Sequence, residues 1–434
     1  MARLKRVVTL REALSINLAA IIGAGIYVIS GLAAGLAGPA SILAVLLGAV
    51  ASIFTGLSFA ELAHLYASEG GNYEYSKEVL GNFAGFIAGI IWIFASIVSA
   101  PAIALSFSGY FNALLGLRLN EPAVAATLLI VLSVINYFGI KRSAQTATAL
   151  ILINIFVLLF FVLVGIFFIK PGNYVPFFPK GVMSTFVASA FVFFAYTGFA
   201  RVTMLGEEIK EPKKTIPKAI IYSILISALL YASVMFVLIG IVPYSKISDS
   251  KSPLSSALYF ATSNPWFGYV IAVGALIATF DVDLAMILGL SRVLFAMARD
   301  NAVPNFFAKL NKYSVPHYTI LVSALIMIIL LIVPFKEIVS MSNAGSLLSY
   351  TIANIAAIKL GLDHRNAPEK MLFSKKKFYI LPVIGAATTL GLLAFLTRFS
   401  IIMLVLTVLI VSSYYFATGK HNRKKKAHNK RENW

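Results

Sequence analysis

Charged side chains inside apolar stretches are the first residues in this sequence that could do chemistry. Asp281 and Asp283 interrupt an apolar run at about 266–297, and Arg201 follows a run rich in aromatic residues. A carboxyl group in such a run is costly to bury, and its usual roles are cation binding or proton transfer. The two aspartates are two positions apart, so their side chains point about 200° apart on a helix. We therefore do not expect them to act as one paired acid–base site.

Glycine-containing segments in two other apolar runs could present backbone groups to a ligand. Residues 19–27 contain Gly23 and Gly25, and residues 193–200 contain Gly198. Unwinding a helix inside a membrane frees N–H and C=O groups that lipid cannot satisfy. Glycines also allow helices to pack closely, but interruptions at corresponding positions of two halves are typical of a transporter site. Each segment begins a block of five apolar runs, which favours a site.

The elements that must position these groups are membrane-spanning helices. The chain has 434 residues, of which 59% are hydrophobic and only 12% charged, whereas about 25% of a soluble chain is charged. Runs of about 20 apolar residues recur along the whole length, and each can cross a bilayer as a helix. We predict an all-α integral membrane protein with about twelve transmembrane helices, at 12–36, 39–65, 83–112, 122–140, 146–169, 182–206, 217–242, 266–297, 317–334, 337–361, 377–396 and 398–418.

The positions of the basic residues predict how these helices are oriented. The formal net charge is +19, and Lys and Arg are concentrated in alternate connections, with groups at Arg3 to Arg11, Lys141 and Arg142, Lys210 to Lys218, Arg299 to Lys312, and Arg365 to Lys377. The positive-inside rule therefore predicts a multi-pass protein of the cell membrane with cytoplasmic N- and C-termini. We expect the basic tail at 419–434 to contact anionic lipid headgroups, and we expect no nucleic-acid partner.

Local patterns refine two boundaries. Thr9-Leu10-Arg11-Glu12 fits a capping box that begins the first helix. Residues 250–263 are rich in serine and lie between prolines, so this connection could contain a short helix outside the membrane.

Several ordered sequence blocks resemble the amino acid–polyamine–organocation superfamily of transporters. They are Ile22 to Tyr27, Phe59 to Leu62, Glu69 to Tyr75, Phe194 to Phe199, Gly206 to Ile220, and Ser291 to Asp300 with Pro304. The resemblance runs from the first helix to the tenth. It implies one transporter domain at 1–418, with two inverted five-helix repeats at about 12–169 and 182–361 and two extra helices at about 377–418. It also implies that the first and sixth helices are broken where they hold the substrate.

The resemblance implies substrate-binding residues in both breaks. In relatives, amides of the first break hold the substrate carboxylate, as suits the N-terminus of a half-helix, and carbonyls hold the ammonium group. An aromatic residue, here Phe199, closes over the substrate. The substrate-binding residues implied in this chain are Ile22, Gly23, Ala24, Gly25 and Ile26 in the first break, and Phe194, Ala195, Thr197 and Phe199 in the second.

The chain departs from the family pattern at the positions that concern ion coupling. Asn154 stands where some proton-coupled relatives carry a lysine, and an amide cannot take up a proton near neutral pH. Asp281 aligns with residues that bind Na⁺ in sodium-coupled relatives, where the ion would also meet carbonyls of Ala19 and Ile22. We therefore expect Asp281 to bind the coupling cation, either Na⁺ or a proton. No other metal and no cofactor are expected.

Two further charges remain open to more than one interpretation. Arg201 could pair with Asp281, Asp283 or Glu61, or it could attract a second carboxylate on the substrate. Glu61 lies near the end of the second predicted span, where it is expected to pair with basic loop residues or to be solvated.

The sequence predicts a secondary transporter of amino acids or related small amines, either a symporter or an exchanger. One alternative is a membrane sensor that binds an amino acid without moving it. An enzyme is disfavoured because the five histidines are scattered and cysteine is absent, which excludes Cys-based metal sites. A primary pump is disfavoured because the sequence has no phosphate-binding loop ending in Lys-Ser/Thr.

Overall fold

The computed structural model describes residues 8–66, 71–139, 144–205, 208–363 and 379–432, and these ranges are almost entirely helical. The α-helices are α1 Leu10–Ile21, α2 Gly25–Ala37, α3 Ser41–Leu65, α4 Asn72–Leu80, α5 Asn82–Leu115, α6 Glu121–Tyr137, α7 Ala144–Gly165, α8 Met183–Val192, α9 Pro212–Ile241, α10 Pro253–Thr262, α11 Pro265–Arg299, α12 His317–Leu330, α13 Phe335–Leu362, α14 Ile380–Leu393 and α15 Arg398–Glu432. Short 3₁₀ helices occupy Gly38–Ala40, Ile166–Phe168, Pro171–Tyr174, Phe193–Leu205, Tyr244–Lys246 and Asn305–Ala308.

The helices account for the twelve predicted spans. Among the described residues, eight helical stretches are long and apolar enough to cross a membrane, and the first of them, Leu10–Leu65, covers the first two predicted spans. Three shorter apolar helices, α6, α12 and α14, occupy the fourth, ninth and eleventh predicted spans. The predicted fold class of an all-α membrane protein is therefore confirmed.

The local patterns also have structural counterparts. Thr9 caps α1: its backbone N–H donates to the Glu12 carboxylate at 2.7 Å, and the Glu12 N–H donates to the Thr9 hydroxyl at 3.5 Å. The predicted short helix at 250–263 is α10. By contrast, α4 was not predicted, because the connection at 66–82 has no apolar run of spanning length.

Several sequence predictions fall outside the described residues. These concern Glu69 and Gly70, Lys141 and Arg142, Gly206 and Glu207, the basic connection from Arg365 to Lys377, and the basic residues Arg3, Lys5 and Arg6. The last helix, α15, runs through Glu432, so the basic tail continues the helix of the last span.

Packing gathers the chemically interesting segments at the centre of the bundle. The 3₁₀ helix Phe193–Leu205 packs against α1, α3 and α9, while α5 packs against both α11 and α13. The first and sixth predicted spans are thus surrounded by helices from both halves of the chain.

Candidate functional site

The first span is broken as the sequence predicts. α1 ends at Ile21 and α2 begins at Gly25, so residues 22–24 lie between two helical pieces. The first N–H groups of any helix have no partner within that helix, and no side chain caps α2. The start of α2 therefore presents backbone donors at mid-membrane, where an anionic group is favoured.

The sixth span differs from the prediction in how it is interrupted. The α-helix α8 ends at Val192, and the chain continues as a 3₁₀ helix over Phe193–Leu205 instead of opening into an unwound break. A 3₁₀ helix joins residues three apart and is uncommon beyond one turn, and in mid-helix it often marks a functional hinge. The interruption is therefore a tightened helix that still departs from regular α-helical hydrogen bonding.

A cavity of about 60 Å³ lies where these two interruptions meet. At roughly 10–15 Å³ for each water, it has room for about five water molecules. Its walls come from the first and sixth spans and from α5, α11 and α13. The side chains in the walls include hydroxyl groups and aromatic rings: Ser96, Ser99, Ser342, Ser346, Thr197, Trp92, Phe194 and Tyr350.

Only part of the predicted substrate-binding set lines this cavity. Ala24, Gly25, Phe194 and Thr197 are in its walls, together with Arg201. The remaining predicted residues lie behind the walls: Ile22, Gly23, Ile26, Ala195 and Phe199.

Phe199 is placed differently from the expectation that it closes over the substrate. Its side chain is fully buried, and its ring packs against Phe59 and Tyr350, with ring centroids 5.8 and 5.0 Å apart. In the structure, the aromatic residues among the described residues that line the cavity are Trp92, Phe194 and Tyr350. Phe199 therefore supports Tyr350 from behind.

Side-chain hydroxyls hold carbonyls of the second predicted binding segment, and one holds the carbonyl of Ile21 at the end of α1. Thr197 Oγ1 donates to the Phe194 carbonyl at 3.0 Å, and the Tyr350 hydroxyl donates to the Thr197 carbonyl. The Tyr231 hydroxyl donates to the Ile21 carbonyl at 2.6 Å and approaches the Ala195 carbonyl at 3.4 Å. These hydrogen bonds fix the directions of the carbonyl groups.

Three glycines bring the walls together. A Cβ atom on Gly23 would lie 1.9 Å from Val282 Cγ2, one on Gly25 would lie 2.5 Å from the Ala195 Cα, and one on Gly198 would lie 2.2 Å from the Ala20 carbonyl oxygen. These glycines therefore allow close packing, and their role in a substrate site stays a prediction.

The intramembrane charges occupy distinct positions. Arg201 lines the cavity, whereas Asp281, Asp283 and Glu61 are buried outside it. Neither oxygen of Asp283 has a hydrogen-bond partner in the part of the chain that the structure describes, so Arg201 does not bond to it. Asp281, Glu61 and Arg201 each make a further interaction within the protein.

The predicted cation-coupling residues lie on helices that are neighbours. Ala19 on α1 and Asn154 on α7 are buried, α7 packs against both α1 and α11, and α11 carries Asp281. The Asn154 side-chain oxygen has no hydrogen-bond partner among the described residues. A cation-binding role for Ala19, Ile22, Asn154 and Asp281 stays a prediction.

Comparison with known proteins agrees with this architecture. Residues 9–423 match the family model described as amino acid permease. The chain belongs to the amino acid permease family.

Relatives of this permease differ in what they are named for. A branched-chain amino acid permease of Bacillus subtilis is 30% identical, over 94% of this chain and 92% of the relative. A methylthioribose transporter of the same organism is 31% identical over the same shares of the two chains. A mitochondrial cationic amino acid transporter of Arabidopsis thaliana is 28% identical, over 82% of this chain and 62% of the relative. Identity at this level therefore does not fix the substrate.

Sequence reasoning missed several residues of the site. Trp92, Ser96, Ser342, Ser346 and Tyr350 line the cavity, but none was singled out. Ser342, Ser346 and Tyr350 recur at every fourth residue and so share one face of α13, which is a signal that the sequence does contain. The hydrogen bond from the Tyr350 hydroxyl to the Thr197 carbonyl in the sixth span is the one feature of this set that the sequence could not show.

A cluster of polar side chains joins α4 to the end of α11 on the face where α1 begins. Lys77 Nζ and the Tyr73 hydroxyl each donate to the Asp300 carboxylate at 2.9 Å. Partial burial acts to raise the pKa of Asp300, but these two hydrogen bonds, with the charges of Lys77 and Arg299, hold it below its ordinary value. Partial burial likewise opposes the charge of Lys77, yet the contacts with Asp300 and Glu74 raise its pKa.

The opposite face is closed by a loop. Cβ atoms on Gly31 and Gly35 of α2 would meet Ile247 and Ser248 at 2.8 Å, and one on Gly109 of α5 would meet Lys251 at 2.5 Å. Lys251 also forms an ion pair with Glu121. The loop before α10 is therefore packed against α2 and α5 on this side.

Proposed function

We propose that this permease is a secondary active transporter that moves amino acids or related small amines across the cell membrane by alternating access. The observation that carries the proposal is the cavity between the start of α2 and the 3₁₀ helix Phe193–Leu205. A zwitterion matches this arrangement, because unpaired N–H groups favour a carboxylate and carbonyl oxygens favour an ammonium group.

The substrate orientation follows from the two ends of the cavity. The α-carboxylate binds near Ala24 and Gly25 at the start of α2, and the α-ammonium group binds toward the carbonyls of Phe194 and Thr197. The side chain then points toward α5 and α13, where serine hydroxyls can accept or donate hydrogen bonds.

The charge of the cavity supports a substrate with a neutral or acidic side chain. Arg201 is the one charged residue among the described residues that line the cavity, and like charges disfavour each other at close range. A lysine or arginine substrate would bring a second cation next to Arg201, whereas glutamate or aspartate would bring a complementary charge.

The proposal also covers the driving force of transport and the orientation in the membrane. Transport proceeds as symport with H⁺ or Na⁺ or as exchange of amino acids, with both termini in the cytoplasm. The lipid bilayer is the partner of the apolar outer surface. A sensor that binds without transport is the second candidate, because the same cavity would serve it.

Uptake into proteoliposomes with a panel of competitors tests the binding model. Free amino acids are expected to compete at least tenfold more strongly than their carboxamides, because a charge-assisted hydrogen bond contributes about 1.5–3 kcal/mol. Acidic and neutral amino acids are expected to compete better than lysine and arginine, and Arg201→Gln should reduce the advantage of acidic ones. Equal competition by acids and amides would contradict the proposed orientation.

A further inference from the structure

Asp283 is a membrane-buried carboxyl group that has no part in the substrate cavity. It lies near the midpoint of the 35-residue helix α11, and its side chain is fully buried. Neither carboxyl oxygen has a hydrogen-bond partner among the described residues, and the residue does not line the cavity. Because such a group is costly inside a membrane, its presence there points to a function.

None of the described ionisable side chains on the elements packed around Asp283 forms a hydrogen bond with it. α11 packs against α5, α6, α7, α10, α12 and the 3₁₀ helix Asn305–Ala308. Their described titratable side chains are Tyr110 on α5, Glu121 and Tyr137 on α6, Tyr259 on α10, and His317 and Tyr318 on α12. The nearest basic residue of α11 itself is Arg292, which lies about 13 Å farther along the helix axis.

Two polar residues of α6, Asn136 and Glu121, already have partners. The Asn136 side-chain amide donates to the carbonyls of Leu132 at 2.9 Å and Leu284 at 3.3 Å. Glu121 pairs with Lys251 at the far end of α6. An ionised Asp283 would therefore be a buried charge without compensation, which proteins avoid by neutralising the group.

A proton satisfies this site better than a metal ion does. Hard cations gather several oxygen ligands around them, and the described residues contain no group of three or more His, Cys, Asp or Glu side chains that could hold a metal ion. A proton needs only the carboxyl group itself. The chemistry of the site thus favours H⁺ over Na⁺.

The helix turn that carries Asp283 packs against the break in the first span. Val282, the preceding residue, lines the cavity, and its Cγ2 atom fills the space where a side chain on Gly23 would begin. A movement of the first span away from α11 would withdraw the backbone that packs on Val282. The packing that buries the adjacent Asp283 carboxyl group would change in the same step.

We propose that Asp283 is a proton-binding site of the transport cycle. It holds its proton while it is sealed as in this structure, and it exchanges the proton with an aqueous pathway when the first span moves. The substrate would then be driven by the proton gradient. This inference rests on the proposed transport function and assigns coupling to Asp283 in place of Asp281, whose side chain points to another face of α11.

Transport by three variants tests the assignment. Accumulation of labelled amino acid driven by an inward proton gradient is expected in the wild type, to be lost in Asp283→Asn and to be kept in Asp283→Glu. Exchange against internal amino acid should persist in Asp283→Asn. Loss of proton-driven accumulation in Asp281→Asn, with its retention in Asp283→Asn, would overturn the inference. Wild-type protein that shows neither accumulation nor exchange would instead contradict the proposed transport function.

Infrared spectroscopy supplies a readout that does not depend on transport. At neutral pH, the spectrum of the wild type minus that of Asp283→Asn is expected to contain the C=O stretching band of a protonated carboxyl group. The same subtraction with Asp281→Asn serves as the matched comparison two residues away. A band of an ionised carboxylate in the Asp283 difference spectrum, or no carboxyl band at all, would overturn the inference even if the variants transport poorly.

Discussion

Gly23 shows how single residues determine the shape of the site. A methyl group at this position would overlap Val282 Cγ2, whereas the position of Gly391 on α14 has no neighbouring atom within 4 Å. Overpacking of a tightly packed interior costs about 1–3 kcal/mol. We therefore expect Gly23→Ala to lower the thermal unfolding temperature and to reduce transport, and Gly391→Ala to leave both nearly unchanged.

A double variant separates crowding by Val282 from other effects of Gly23→Ala. Val282→Ala removes the atom that would be overlapped, so Gly23→Ala combined with Val282→Ala should recover part of the lost stability, as a double-mutant cycle measures. Strictly additive losses in the two variants would contradict the packing seen between the first span and α11.

Tyr231 stabilises the end of α1, at the break in the first span, through its hydroxyl group. It donates to the carbonyl of Ile21, the last residue of α1, whereas the buried hydroxyl of Tyr27 has no partner among the described residues. Tyr231→Phe is expected to cost about 1 kcal/mol and to raise KM by disordering the end of α1. Tyr27→Phe, the matched control, should be neutral or slightly stabilising. Thermal unfolding and uptake kinetics measure both changes, and equal effects would contradict this role of Tyr231.

Whole elements were more predictable from the sequence than their internal geometry. Apolar runs predicted the twelve spans, and Thr9 and Glu12 predicted the start of α1, because these signals are local. The sequence did not reveal that the sixth span tightens into a 3₁₀ helix, since that depends on contacts with α1, α3 and α9. The position of Phe199 behind Tyr350 was not predicted for a related reason. The spacing of residues along a span does not specify how the span is rotated about its own axis.

The docking of α4 onto α11 has a predictable pH dependence. The pKa of Asp300 lies below its ordinary value of 3.8, so the contact stabilises the protein above that pH and is lost as the pH falls through the lowered value. The pKa of Lys77 lies above 10.5, so its contribution is complete below that pH and is lost only above the raised value. The contact is therefore constant between about pH 5 and 9.

Hydrogen exchange of the α4 amides tests this contact. Exchange in residues 72–80, corrected for its intrinsic pH dependence, is expected to stay slow from pH 5 to 9 and to quicken below pH 4. Asp300→Asn should quicken it at all of these pH values and remove the acid transition. An unchanged acid transition in Asp300→Asn would mean that another group controls the docking of α4.

At the scale of the whole molecule, the basic connections predict the orientation in the membrane. The chain has no cysteine, so a single introduced cysteine reports on one position without a background signal. Asp249 and Lys312 are exposed on opposite faces of the bundle. A membrane-impermeant maleimide is expected to label Asp249→Cys on intact cells and Lys312→Cys only after permeabilisation. The reverse result would contradict cytoplasmic termini.

The cavity between the first and sixth spans is proposed to carry amino acids across the membrane. The most direct measurement is uptake of labelled amino acids into proteoliposomes under an inward proton gradient, an inward Na⁺ gradient, no gradient, and with internal amino acid. We predict saturable uptake of neutral or acidic amino acids, and accumulation against their own gradient when protons flow inward. Amino-acid binding with no uptake under any of the four conditions would contradict transport and indicate a sensor.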